Sequence, residues 1–188
     1  MEQVAGRPSE AESGERASRV VIVRRARTLD VRAIRRLVDA YSGVGPRLLK
    51  KTTVTLYEDV QEFWVAEADG TVVGCGALHV LWEDLAEIRT VAVDPAARGM
   101  GVGHRIVGAL IDAASELGVR RVFCLTFEVT FFGRHGFVPI HGTPVSPEVY
   151  AELLASYDEG VAEFLDLEHV KPNTLGNTRM LLHLQPRV

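Results

Sequence analysis

One stretch constrains the fold more than any other: Val91-Ala92-Val93-Asp94-Pro95-Ala96-Ala97-Arg98-Gly99-Met100-Gly101-Val102-Gly103-His104. It reads as a short β-branched strand, an Asp-Pro turn, and glycines that open a helix. That helix, predicted over Arg105–Leu117, is apolar on one side and is closed by Gly118. Glycines at a helix N-terminus let a ligand approach the backbone closely, and the free N–H groups together with the helix dipole favour an anion. A phosphate-bearing ligand is therefore expected here. A nucleoside-triphosphate loop would end in Gly-Lys-Ser/Thr, whereas this one ends in Gly-His-Arg. A dinucleotide fingerprint needs Gly-x-Gly-x-x-Gly, and the spacing Gly99, Gly101, Gly103 does not supply it.

The flanking segments predict an α/β chain. A strand at Arg19–Val23 precedes a helix from Asp30 to Tyr41, with Asp30 as N-cap and Val31, Ile34, Leu37 and Val38 as its apolar stripe. Gly43–Pro46 is a break, and Arg47–Val60 is a second helical or loop region. Glu62–Glu67 and Val72–His79 flank an Asp69-Gly70 turn as a hairpin. Strands follow at Ala86–Val93 and Arg121–Thr126. Met1–Ser18, nearly free of large apolar residues, reads as a disordered tail, with 19–188 as one domain.

Bulk properties narrow the function classes. The 188 residues, 47% hydrophobic and 24% charged, are those of a soluble globular chain with room for a full core. The cytoplasm is the expected compartment, because no run has the length of a membrane span and no secretory signal opens the chain. A net charge of −4 without a basic stripe argues against nucleic acid. Cys75 and Cys124 read as buried core residues, and the six scattered histidines form no metal motif.

Arg98-Gly-Met-Gly101-Val-Gly103 resembles the acetyl-CoA loop of the GNAT N-acetyltransferase superfamily, Arg/Gln-x-x-Gly-x-Gly/Ala. Phe131-Phe132-Gly-Arg-His-Gly-Phe137 resembles the superfamily's Phe-Tyr-x-x-x-Gly-Phe signature, with Phe132 in place of the tyrosine. The resemblance spans roughly residues 20 to 184. It implies a twisted, mostly antiparallel mixed sheet of about seven strands, flanked by helices and splayed at the acetyl-CoA site. It also implies acetyl-CoA as cosubstrate without metal. Backbone groups of Thr90, Val91, Ala92 and Val93 would line the pantetheine, and Arg98 to His104, with Phe132, would complete the cofactor site. A superfamily enzyme moves acetyl by direct attack of an amine on the thioester, so a base must first take a proton from the ammonium. Glu87 stands where many members carry their catalytic glutamate. Phe132 cannot protonate a thiolate, which leaves Thr126 or water as general acid.

Within the superfamily, Leu48–Glu67, Cys75–His79, Ala86–Val93 and Val122–Thr126 resemble the acetyltransferase domain of N-acetylglutamate synthase. Tyr157–Met180 is similar to its short, single-domain form. The resemblance implies acetylation of L-glutamate on the route to arginine. Lys50, Lys51, Arg89, Thr90, Asn177, Thr178 and Arg179 would meet the acceptor, whose carboxylate needs cations or N–H groups. Longer members carry Arg where this chain has Gly176, so glutamine competes with glutamate. Two other readings stay open: a GNAT enzyme for a protein N-terminus, lysine, polyamine or drug amine, and a non-catalytic acetyl-CoA or amino-acid sensing module. A homodimer is compatible with all of them.

Overall fold

The computed structural model describes residues 20–41, 48, 51–156 and 176–185. The expectations for the tail at 1–18, the break at 43–46, Lys50, and most of the stretch from Tyr157 to Met180 lie outside these residues. Among the described residues, seven strands form one sheet in the order β1-β2-β3-β4-β5-β7-β6. They are β1 (Val21–Arg25), β2 (Phe63–Ala68), β3 (Thr71–Trp82), β4 (Leu85–Val93), β5 (Arg121–Thr126), β6 (Val138–Pro139) and β7 (Thr178–His183). All neighbours pair antiparallel except β4 and β5. Two hairpins therefore precede the glycine loop, and the helix after it makes the crossover that a parallel pair requires.

Helix α3 (Val102–Glu116) covers one face of the sheet. Its Val102, Ile106, Leu110 and Ala113 pack with Leu78, Ile88, Val122 and Met180. The approach is close: a Cβ at Gly74 would lie 2.7 Å from Val102 Cγ1, and one at Gly76 would lie 2.8 Å from Ile106 Cγ2. These two strand glycines are thus the groove that admits α3. On the other face, α1 (Val31–Asp39) and α2 (Thr53–Glu58) bury Ile34, Leu37 and Leu56 against Phe63, Cys75 and Ala77. Further along that face, α5 (Pro147–Leu153) closes a smaller cluster of Leu85, Phe123, Leu153 and Leu181. The two apolar clusters leave a gap between them, and β4 crosses it.

Several sequence expectations shift. The first strand is Val21–Arg25, two residues later than expected. The long helix begins at Val102 rather than Arg105, so Gly103 and His104 belong to its first turn. Asp30 does not cap α1 with its side chain. Its carboxylate instead accepts from the Arg27 amide at 2.7 Å and from Arg24 Nη1 at 2.7 Å. Arg24 also reaches Glu67 on β2 at 2.8 Å, which ties β1, β2 and the entry to α1 together. Cys75 and Cys124 are fully buried, as expected of core residues.

Candidate active site

β4 and β5 pair at Leu85↔Arg121, Ala86↔Val122 and Glu87↔Phe123, and β5 then continues along β7 to Thr126↔Thr178. The parting follows from a bulge in β4. Between Arg89↔Ala77 and Ala92↔Cys75, the residues Thr90 and Val91 oppose Gly76 alone. Thr90 takes the left-handed conformation, with φ 57°. Its carbonyl lies 3.8 Å from Cys75 Sγ on β3. A cleft of about 150 Å³ opens there, lined by Ile88, Arg89, Thr90 and Val91 on one side and by Thr126 and Phe132 on the other.

The glycine loop lies at the end of β4. Asp94 accepts from the Ala96 amide at 2.9 Å and starts a tight turn over Pro95–Ala97. Gly99 (φ 81°) and Gly101 (φ 72°) are left-handed, and a Cβ on either would meet nothing within 4 Å. Glycine is needed there for its backbone conformation. Met100 packs against the α3 core, while the amides of Val102, Gly103 and His104 begin the helix, whose first turn lacks intrahelical acceptors. A Cβ at Gly103 would come within 3.2 Å of Phe131 on α4 (Val129–Gly133). Phe131 stacks on His104, with ring centroids 4.7 Å apart, and His104 Nδ1 lies 2.8 Å from His135 Nε2. Burial, with the neighbouring His104, holds His135 below the ordinary histidine range. Two left-handed glycines, an uncovered helix start and an open strand edge suit a long phosphate-bearing ligand. Acetyl-CoA would suit these residues: the loop amides would hold its pyrophosphate and β4 its pantetheine.

Glu87 is the last residue of β4 paired with β5, and it is 4% exposed. It belongs to a polar seam across the gap between the two apolar clusters. Arg89 Nη1 stands 3.9 Å from Glu87 Oε2, while Arg89 Nη2 is 2.9 Å from Glu62 and 3.7 Å from Asp59. Glu62 also meets His79 Nδ1 at 2.7 Å, and Lys51 Nζ meets Asp59 at 3.0 Å. Burial disfavours the charge on Glu62, but His79 and Arg89 outweigh it and hold the carboxyl below its usual range. Lys51 and Arg89 are therefore brought together, with carboxylates beside both.

Thr126 is buried, and its Oγ1 accepts from the Glu128 amide at 2.9 Å. It lies three residues after Phe123, the partner of Glu87, and so falls on the opposite face of the sheet from Glu87. Arg179 pairs with Leu125 and therefore shares the Glu87 face, whereas Thr178 pairs with Thr126. Asn177 directly precedes β7. Phe132 is buried in an edge-to-face contact with Phe137, at 5.4 Å. The site also contains residues that sequence reasoning missed: Tyr41, Asp59, Glu62, His79, Phe131 and His135. A hairpin predicted at Glu62–His79 could have hinted at the Glu62–His79 pair. Tyr41, 57 residues from its partner Arg98, had no such signal. Among the described residues, no group of His, Cys, Asp or Glu could hold a metal ion, and no helix is long and apolar enough to cross a membrane.

Residues 33–137 match the acetyltransferase (GNAT) family. An amino-acid acetyltransferase of Mycobacterium tuberculosis is 65% identical over 166 residues, 87% of this chain and 94% of that protein. The crystal structure of Rv2747 from Mycobacterium tuberculosis, in complex with CoA and NLQ, superposes with a TM-score of 0.84 at 65% identity. It covers 87% of this chain and 99% of that one. N-acetylglutamate synthase from Neisseria gonorrhoeae, complexed with coenzyme A and N-acetyl-glutamate, gives a TM-score of 0.70 at 23% identity. The match covers 88% of this chain and 35% of that one, and at this identity the likeness is one of fold.

Proposed function

Because the chain belongs to the acetyltransferase (GNAT) family, we propose that it acetylates the α-amine of L-glutamate or L-glutamine, with Glu87 as general base. It is an acetyl-CoA-dependent amino-acid acetyltransferase; the acceptor, the residue roles and the place on the route to arginine are the inferred part. The observation that carries the proposal is the position of Glu87. A buried carboxylate stands where β4 and β5 part, within a seam of charged side chains.

Acetyl-CoA supplies an activated acetyl group. The chain supplies everything that makes an amino acid react with it. Glu87 takes a proton from the acceptor ammonium, directly or through water, so that the nitrogen lone pair is free to attack. On this reading a backbone N–H of β4, that of Val91 at the wall of the cleft, meets the negative charge that builds on the acetyl oxygen. Thr126 or a water returns a proton to the departing thiolate. The acceptor carboxylate is received on the Glu87 side of the sheet by Arg179 with Lys51 and Arg89, while Thr178 lies on the opposite face. Asp59 and Glu62 offset part of the charge of Lys51 and Arg89, which raises the share that falls to Arg179 and to backbone N–H groups.

Incubation with acetyl-CoA and each amino acid, followed by mass spectrometry of the product, tests this reading. N-acetylation of glutamate or glutamine at the α-nitrogen supports it. Acetylation of neither, by a preparation that releases CoA with other amines, contradicts it.

A further inference from the structure

Tyr41, at the end of α1, reaches the open edge of β4. The Asp94 amide bonds to the Val73 carbonyl of β3 at 2.8 Å. The carbonyl of the same peptide, Val93's, therefore points the other way, toward the edge that β5 has left. Tyr41 Oη donates to that carbonyl at 2.5 Å. The same oxygen accepts from Arg98 Nη2 at 3.1 Å, and the Arg98 guanidinium lies 5.6 Å from the Tyr41 ring centroid. A phenol carries one donor proton and free lone pairs, so both bonds coexist. Tyr41 also lines the cleft.

We propose that Tyr41 is a positioning residue for acetyl-CoA: its hydroxyl closes the Val93 carbonyl and holds Arg98, so fixing where the cofactor arm leaves β4 and enters the glycine loop. An arm lying along the open edge finds one lone pair of the Val93 carbonyl already taken by Tyr41 and the phenol standing beside the other. The phenol borders the arm's path at that step, and Arg98 is held there at the first residue of the loop. The hydroxyl thus sets the register of the arm, and with it the position of the thioester along β4. This inference rests on the reading that β4 and the loop hold acetyl-CoA, and it is independent of Glu87 and of the acceptor.

Tyr41→Phe keeps the ring and removes only the hydroxyl. Its expected effect is a rise of about 5- to 20-fold in both Kd and KM for acetyl-CoA, the scale of one or two lost hydrogen bonds. The kcat at saturation should change by less than twofold, and the acceptor KM should stay put, as for an interaction equal in ground and transition states. A residue that merely supported the fold would lower the active fraction and leave KM alone. An acetyl-CoA Kd within twofold of the parent, or a loss confined to kcat, overturns the proposal. Arg98→Met breaks the same latch from its other end. The double variant should then lose less than the product of the two single losses, and full multiplicativity overturns the latch. Binding left intact by Gly101→Val would instead indict the loop reading itself.

Discussion

Glu87 of β4 and Phe123 of β5 are the last pair before the two strands part, which places the buried carboxylate at the fork between them. Glu87→Gln keeps the shape and removes the proton acceptor. Turnover near neutral pH should fall by roughly 10²–10⁴-fold, with acetyl-CoA affinity little changed. The defect should shrink at high pH, where more acceptor is already deprotonated. Steady-state rates across pH check this, and an unchanged rate at pH 7 would make Glu87 a structural residue.

Gly101 has φ 72° with open space where a side chain would stand, so the effect of substitution there is conformational. Gly101→Val places a β-branched residue in left-handed backbone, at a cost of about 1–2 kcal/mol or more. The folded variant should either carry that strain or rotate the loop amides away from the phosphates. Acetyl-CoA binding should weaken by about tenfold or more, the fold-change equivalent to that strain. Calorimetric titration reads it, and binding equal to the parent contradicts the loop assignment.

Glu62 is held below the usual carboxylate range by His79 and Arg89, against the opposing effect of its burial. A carboxyl with a depressed folded pKa stabilises the protein above its unfolded pKa, about 4.3, and that contribution fades as pH falls through the folded value. Glu62→Gln should therefore lower the melting temperature at pH 7. The difference should begin to shrink as pH falls below about 4.3 and close only below the folded pKa. A constant difference across this range would mean that the charge of Glu62 does not stabilise the fold.

Asp30, 8% exposed, takes both a backbone amide and the Arg24 guanidinium, and Arg24 in turn draws on Glu67. Asp30→Ala removes a charged acceptor and leaves Arg24 with Glu67 as its remaining carboxylate, at a cost of about 2 kcal/mol in unfolding free energy. Chemical denaturation measures this. Kinetic constants of the folded variant should match the parent, because the triad lies at β1 and β2.

Much of the fold was legible because its signals are local. Asp69-Gly70 between two alternating runs reads as a hairpin, and both residues take the positive φ that a tight turn requires. The glycines before an apolar helix read as a loop opening on α3. Asp30 shows how a local rule fails: its spacing fits an N-cap, but Arg24, six residues away, competes for the carboxylate and wins through two charge-assisted bonds. The charged seam escaped for the opposite reason. His79, Glu62 and Arg89 are 17 and 27 residues apart in pairs, and only the register of β2, β3 and β4 brings them together. Lys51 and Arg89 looked like free cations in sequence because nothing local marks Asp59 and Glu62 as their partners. Tyr41 looked like the end of a helix, whereas its hydroxyl serves a strand edge that exists only because the sheet splays.

The acceptor is tested most directly by competition. Purified protein, acetyl-CoA and an equimolar mixture of L-glutamate, L-glutamine, L-aspartate, L-lysine and spermidine should yield N-acetylglutamate and N-acetylglutamine as the main products. Gly176 stands where an arginine would select a side-chain carboxylate, so the two should form at comparable rates. Aspartate, one methylene shorter, should lag because it cannot span from Glu87 to the far anchors. Dominant acetylation of lysine or spermidine would contradict the amino-acid α-amine assignment at its centre.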